Sequence, residues 1–315
     1  MISQNISKDN INQWDSLPDG YLCFVLKSNE EYLYIGISAK LSTRLKSIWN
    51  KAEKDHIYQE LISAASTLEY NLMPDSMSAL ILQKCLIAQH HPQFQQRLRP
   101  WQNYVYLALD SHRFPFISIQ EHSGDDWLYL GPFRNRFFVT DVIQSISRIL
   151  KLPFCETGSY PCDKFDKGTC RGWCLALAPA RETELEHDLD KLDTLLQESF
   201  IHPQNGILEL VQNERDAYFN NLEFAKADLL DDEIRLLKAY REWLNFLYVA
   251  KDLEFESPQL CIQHGQLVRA ELNGKSYRFP ADLPEYRANE KLALPLAAVD
   301  EMKIIYNFIK ERANA

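Results

Sequence analysis

The sequence predicts an α+β protein. A small mixed sheet with helices fills residues 1–110, a cysteine-rich metal module 111–180, an acidic helical region with a helical hairpin 181–250, and a short β-hairpin plus helix 251–315. Three observations predict this order. Runs rich in aromatic and β-branched residues alternate with stretches whose apolar residues recur every three or four positions. Four of the seven cysteines fall between positions 155 and 174. Only ten of 315 residues are glycine, against a usual share of about 7%, which favours helices over a turn-rich all-β design.

Composition narrows the function. Apolar residues make up 46% and charged residues 25% of the chain, values of an ordinary globular protein that exclude wholesale disorder and fibrous repeats. The formal net charge is −10, so bulk charge would repel phosphate, and any contact with nucleic acid needs a local basic patch. The opening MISQNISKDNINQW is polar, and no apolar run approaches the roughly 20 residues that span a bilayer. A cytoplasmic protein is expected, without disulfides.

The first element is a hairpin, Gly20–Ile37, with a polar break at Lys27–Glu31. Leu41, Leu45 and Ile48 have helical spacing, and Lys40, Arg44, Lys46 and Lys51 give that helix a basic outer face. A second helix is expected from Ile57 to Ser66, a strand at Leu68–Leu72, and a third helix at Ser76–Gln89 ended by Pro92. Strands follow at Tyr104–Leu109 and Phe116–Gln120, then a helix at Val139–Leu150 leading into the cysteines. Leu208–Phe219 and Phe224–Val249 read as two helices joined near Asn220–Glu223. Alternation over Leu260–Leu272 before the Asn273-Gly274 turn predicts a second hairpin. A last helix covers Val299–Arg312.

Cys155, Cys162, Cys170 and Cys174 follow a C-x6-C-x7-C-x3-C pattern, with Gly158, Gly168 and Gly172 between them to allow tight turns. Four thiolates around one centre suit tetrahedral zinc or an iron–sulfur cluster, and spacing alone does not choose between them. The competing reading is a set of small buried hydrophobes. For the isolated Cys23, Cys85 and Cys261, core packing is expected.

Gly20-Tyr21-Leu22 and Tyr34-Ile35-Gly36, followed by Arg44, resemble the GIY-YIG nuclease motif. Further segments in order resemble the UvrC family, the excinuclease subunit of bacterial nucleotide excision repair. They are Phe114–Ile119 and Gly131-Pro132-Phe133, then the x7 and x3 spacings of Cys162, Cys170 and Cys174. Last comes Asn221-Leu222-Glu223-Phe224 with Ala227, Leu230, Asp232 and Ile234, which is similar to the UVR helical hairpin. The resemblance runs over about residues 17–245. It implies that Tyr34 acts near an attacking water, that Arg44 stabilises charge on the phosphate, and that a helical glutamate holds one divalent cation, Mg²⁺ or Mn²⁺. It also implies a [4Fe–4S] cluster at the four cysteines, with zinc as the alternative. A UvrB-like helicase or another UVR-motif protein would be gripped through Leu222, Glu223, Phe224 and Asp232.

The sequence departs from that pattern at the polar positions. Gln83 stands where the metal-binding glutamate belongs, Leu22 at the first tyrosine, Ile37 at the usual lysine and Ile48 at a later aromatic position. Magnesium is a hard ion held by one or two carboxylates, so this reads as a nuclease fold whose chemistry is lost or mostly lost, with weak or no incision. Lys40, Arg44, Lys46 and Lys51 then serve DNA binding, extended by Arg97, Arg99, Arg134 and Arg136. The alternatives are a working endonuclease making a 3′-side incision, with Glu69 supplying the missing carboxylate, and a scaffold that never touches DNA. Residues 251–315 are left without a role.

Overall fold

A computed structural model describes residues 2–5, 14–95, 104–152, 154–155, 162–174, 186–203, 206–272, 275–279, 292–296 and 298–313. In chain order the elements begin β1 (Ile2–Asn5), β2 (Asp19–Ser28), β3 (Glu31–Lys40), α1 (Leu41–Ala52), α2 (His56–Ala64), β4 (Thr67–Met73) and α3 (Ser76–His90). They continue with β5 (Val105–Leu109), β6 (Ile117–Gln120), β7 (Leu128–Phe133), α4 (Arg136–Leu150), α5 (Asp163–Asp166), α6 (Glu186–Phe200), α7 (Ile207–Asn220) and α8 (Phe224–Ala250). The last are β8 (Phe255–Glu256), β9 (Leu260–Gln263), β10 (Gln266–Leu272), β11 (Lys275–Arg278) and α9 (Val299–Ala313). Two units result: residues 1–102, 253–282 and 301–315, and residues 103–252 and 283–300.

In the first unit the strands run β1-β4-β2-β3, each neighbouring pair antiparallel. Alternation sorts the strand residues between two faces. Leu22, Phe24, Leu26 and Tyr34 meet Leu41, Leu45 and Ile48 of α1 and Tyr58 and Leu61 of α2. Cys23, Val25 and Ile35 meet Leu86 of α3. Two aspartates start the helices by accepting from free backbone N–H groups: Asp55 from Ile57 at 2.9 Å and Asp75 from Ser78 at 2.7 Å.

Helix α3 is apolar on more than one side because it is covered twice. Its Met77, Leu80, Ile81 and Cys85 pack against Leu260, Ile262, Leu267 and Ala270 of a second sheet, ordered β11-β10-β9-β8, and against Ile305 and Phe308 of α9. Glu301 fastens this contact: it pairs with Lys84 of α3 and accepts from the Leu267 N–H at 2.9 Å. Residues 251–315, without a role by sequence, thus contribute their sheet to the same unit as the N-terminal hairpin.

The second unit holds the three-stranded sheet β6-β5-β7 and helices α4 to α8. Arg148 of α4 reaches Glu214 of α7 at 3.0 Å and Glu233 of α8 at 2.7 Å. The buried Tyr240 stacks on Phe133 and donates its hydroxyl proton to the Phe200 carbonyl at 2.7 Å. Helices α7 and α8 are the expected helical hairpin. Among the described residues, no helix is long and apolar enough to cross a membrane.

Two local readings change. Lys27, assigned to the polar break, is only 6% exposed and belongs to β2; an ion pair with Glu69 at 3.1 Å and the Tyr32 ring at 4.7 Å accommodate its charge. The turn is confined to Asn29 and Glu30, with Asn29 at φ 52°. The alternating Leu260–Leu272 run is two strands, broken at His264 and Gly265, whose φ values of 48° and 70° reverse the chain. The Asn273-Gly274 turn lies outside the described residues, while β10 and β11 pair with Leu272 opposite Lys275.

Candidate functional site

Tyr34 and Arg44 come from consecutive elements, the first half of β3 and the first turn of α1. The Tyr34 side chain is 5% exposed, and its hydroxyl oxygen accepts a hydrogen bond from Arg44 Nη2 at 3.1 Å. The Arg44 Nε is buried with no hydrogen-bond partner among the described residues, so the guanidinium is fixed while retaining unused donor capacity. Gly36 makes the local packing possible. A Cβ there would lie 2.5 Å from the Phe24 ring and 3.0 Å from the Tyr34 ring. Only a hydrogen fits between them.

The positions at which the sequence departs from the motif are spread over both faces of the sheet. Leu22 is fully buried on the Tyr34 face, whereas Tyr21 is 46% exposed. Ile37 packs among the residues that face α3, and Ile48 lies in the α1 core. Gln83 donates from Nε2 to the Ile35 carbonyl at 3.2 Å, a bond that a carboxylate, having no donor when ionised, does not make. Glu69, the other candidate carboxylate, is held by Lys27. Among the described residues no group of three or more His, Cys, Asp or Glu side chains is arranged to hold a metal ion. The donor set around Gln83 does not fit magnesium, which needs oxygen ligands with carboxylate charge.

The lysines separate into two groups. Lys40 is exposed at the start of α1. Lys46 pairs with Asp15 at 2.6 Å, and the Lys51 ammonium lies 5.3 Å from the Tyr58 ring centroid. Lys46 and Lys51 line a cleft of about 640 Å³ together with Asn50, Lys54 and Tyr58, which sequence reading missed; Lys40 and Arg44 do not line it. Ser47 and Asn50 share a face of α1 by their spacing, but Lys54 lies past the last helical residue, Ala52, and no spacing within α1 points to it or to Tyr58. Burial raises the Tyr58 phenol pKa, and the Arg44 charge opposes that shift. Arg134 pairs with Asp300 at 3.4 Å within the second unit, and Arg136 is exposed there. Arg97 and Arg99 lie outside the described residues.

Cys155, Cys162, Cys170 and Cys174 are half-buried, form no disulfide among the described residues, and are not arranged to hold a metal ion. Burial raises the Cys174 thiol pKa, and the charges of Cys170, Cys155 and Cys162 add to that rise. Two donors meet the sulfurs: Lys164 Nζ at 3.4 Å from Cys155 Sγ, and the Gly172 N–H at 3.2 Å from Cys170 Sγ. Cys23 and Cys85 are buried thiols, pushed up to about 12 and about 11 by burial, in keeping with core packing.

At the turn between α7 and α8, Leu222 has φ 60° and is 73% exposed. Phe219 and Phe224 meet edge to face at 5.3 Å, and both remain exposed. Glu223 pairs with Lys226, and Asp232 with Arg235. The tip is therefore an apolar surface edged by charge.

The family model of the UvrC-like GIY-YIG domain matches residues 21–96. UvrABC system protein C of Methanococcus maripaludis is 22% identical over 251 residues, covering 78% of this chain and 45% of that protein. The Fervidobacterium nodosum protein of the same name is 26% identical over 165 residues, covering 51% and 29%. The chain spans less than half the length of these curated relatives. The magnesium-bound GIY-YIG N-terminal endonuclease domain of UvrC from Thermotoga maritima is 22% identical, covering 28% of this chain and 98% of that one, with a TM-score of 0.26. Residues 21–96 of this chain are a UvrC-like GIY-YIG domain.

Proposed function

We propose that this protein binds DNA in a repair process of the nucleotide excision type, gripping a phosphodiester through Arg44 and Tyr34 without cutting it. The observation that carries this reading is the hydrogen bond from Gln83 to the Ile35 carbonyl. It occupies the expected cation-anchor position with a neutral amide, while the Arg44–Tyr34 pair persists. A guanidinium offers forked donors to non-bridging phosphate oxygens, but without a bound cation the charge of a leaving alkoxide is poorly stabilised.

Two further parts belong to the same proposal. The exposed Leu222 and Phe224, with Glu223 beside them and Asp232 about two turns further along α8, form the docking surface for a UvrB-like partner, an apolar centre edged by charge. Cys155, Cys162, Cys170 and Cys174 would supply the thiolates of a metal centre once drawn together, since as they stand they form no metal-holding group among the described residues. The N–H donors on two of the sulfurs suit an iron–sulfur cluster, whose sulfurs are tuned by such bonds; the cluster would lock the segment that carries it and bring a redox couple. Such a protein works in the cytoplasm.

The test is a nicking assay on damaged duplex with Mg²⁺ or Mn²⁺ and a UvrB-like partner, run beside a DNA-binding titration. Binding without nicking is expected, weakened by Arg44→Ala. Nicking that disappears in Arg44→Ala would establish the working-endonuclease alternative, and absence of binding at low salt would establish the scaffold.

A further inference from the structure

Helix α1 carries its apolar residues, Leu41, Leu45 and Ile48, toward the sheet. Its opposite side is polar, and the short connection to α2 brings Lys54 and Tyr58 against it. The result is the cleft of about 640 Å³ between α1 and α2. Three ammonium groups, Lys46, Lys51 and Lys54, line it with the hydroxyl of Ser47 and the amide of Asn50. On a chain of net charge −10, such a local concentration of one sign stands out.

The acidic neighbours offset only part of it. Asp55 lines the cleft and keeps its charge while accepting from the Ile57 N–H as the cap of α2. Asp15 pairs with Lys46, and Glu53 is exposed and absent from the cleft wall. Lys51 and Lys54 form no ion pair among the described residues, and Lys51 is steadied over the Tyr58 ring. Tyr58 also lies in the same buried cluster as Tyr34, which places the cleft beside the Tyr34–Arg44 pair.

We infer that the α1–α2 cleft is a track for the DNA backbone on one side of the phosphodiester held by Arg44. There Lys51 and Lys54 each neutralise one phosphate, and Asn50 and Ser47 donate hydrogen bonds to phosphate oxygens. These contacts position the duplex and carry no base information. The inference rests on the DNA-binding reading above and adds where the flanking strand runs.

The experiment measures binding of a fluorescent DNA duplex by the full chain across a salt series. It compares wild type, Lys51→Gln/Lys54→Gln, Lys51→Arg/Lys54→Arg, and the control Lys238→Gln/Lys310→Gln, which neutralises exposed lysines elsewhere. The first variant should lower the slope of log affinity against log salt by about two and weaken binding at least tenfold near 0.1 M salt. The arginine variant should restore both values, and the control should match wild type. If the glutamine variant keeps wild-type affinity and slope while wild type binds DNA, the cleft is not the track. If the control falls as far as the glutamine variant, the effect is bulk charge and the inference also fails. If wild type itself does not bind at low salt, the DNA-binding reading fails, and the track with it.

Discussion

Arg44 Nη2 donates to the Tyr34 hydroxyl at 3.1 Å, joining α1 to β3 across ten residues. The bond sets the phenol oxygen beside the guanidinium, the pair on which the proposed phosphodiester grip rests. It also ties the first turns of α1 to the hairpin. Tyr34→Phe removes the acceptor and should cost about 0.5–1.5 kcal/mol of stability, read as a lower urea midpoint with unchanged denaturant slope. DNA affinity should fall with it, because Arg44 is released to other rotamers.

Gly36 is the third residue of the Tyr34-Ile35-Gly36 triplet, and the Phe24 ring lies where its side chain would be. Gly36→Ala should destabilise the protein by about 1–3 kcal/mol through overpacking. The ring next displaced is that of Tyr34, so loss of DNA binding should accompany the loss in urea unfolding.

His90 stacks on Tyr32 with ring centroids 3.6 Å apart, and Lys27 lies over the same tyrosine. Burial, and then the Lys27 charge, lower the imidazole pKa from its ordinary value. A histidine whose folded pKa lies below its unfolded one binds more protons when unfolded. Its contribution is therefore intact above pH of about 6.5 and is lost as pH falls through that value toward the folded pKa. Urea midpoints at pH 7.5 and 5.5 should show a drop for wild type and a smaller drop for His90→Phe, which keeps a ring on Tyr32.

Glu301 serves Lys84 and the Leu267 N–H at once, so it fastens α9 to both α3 and β10. Glu301→Ala leaves a backbone donor and an ammonium without their partner. The expected cost is about 1–3 kcal/mol, measured by urea unfolding. Hydrogen exchange should rise in α3, showing that residues beyond 253 support the nuclease-like fold.

The sequence made the local parts readable. The β2–β3 hairpin, the basic face of α1 and the α7–α8 pair each come from periodicity within one segment, and Tyr34 and Arg44 are near in sequence. What escaped it was non-local. Lys54 and Tyr58 join the cleft only because α2 folds back on α1, and no spacing within α1 records that. Lys27 looked like a turn residue because its partner Glu69 lies 42 positions away. Met77, Leu80, Ile81 and Cys85 marked α3 as buried on a second side, but the sheet that covers it begins near residue 255. Gly265 inside an alternating run was the visible sign that Leu260–Leu272 is broken.

The most direct measurement of the central claim is a titration of the full chain with Mn²⁺, following free ion by electron paramagnetic resonance in wild type, Gln83→Ala and Gln83→Glu. The account predicts identical curves for wild type and Gln83→Ala, and one added site when a carboxylate replaces the amide. A single tightly held ion in wild type that disappears in Gln83→Ala would contradict it.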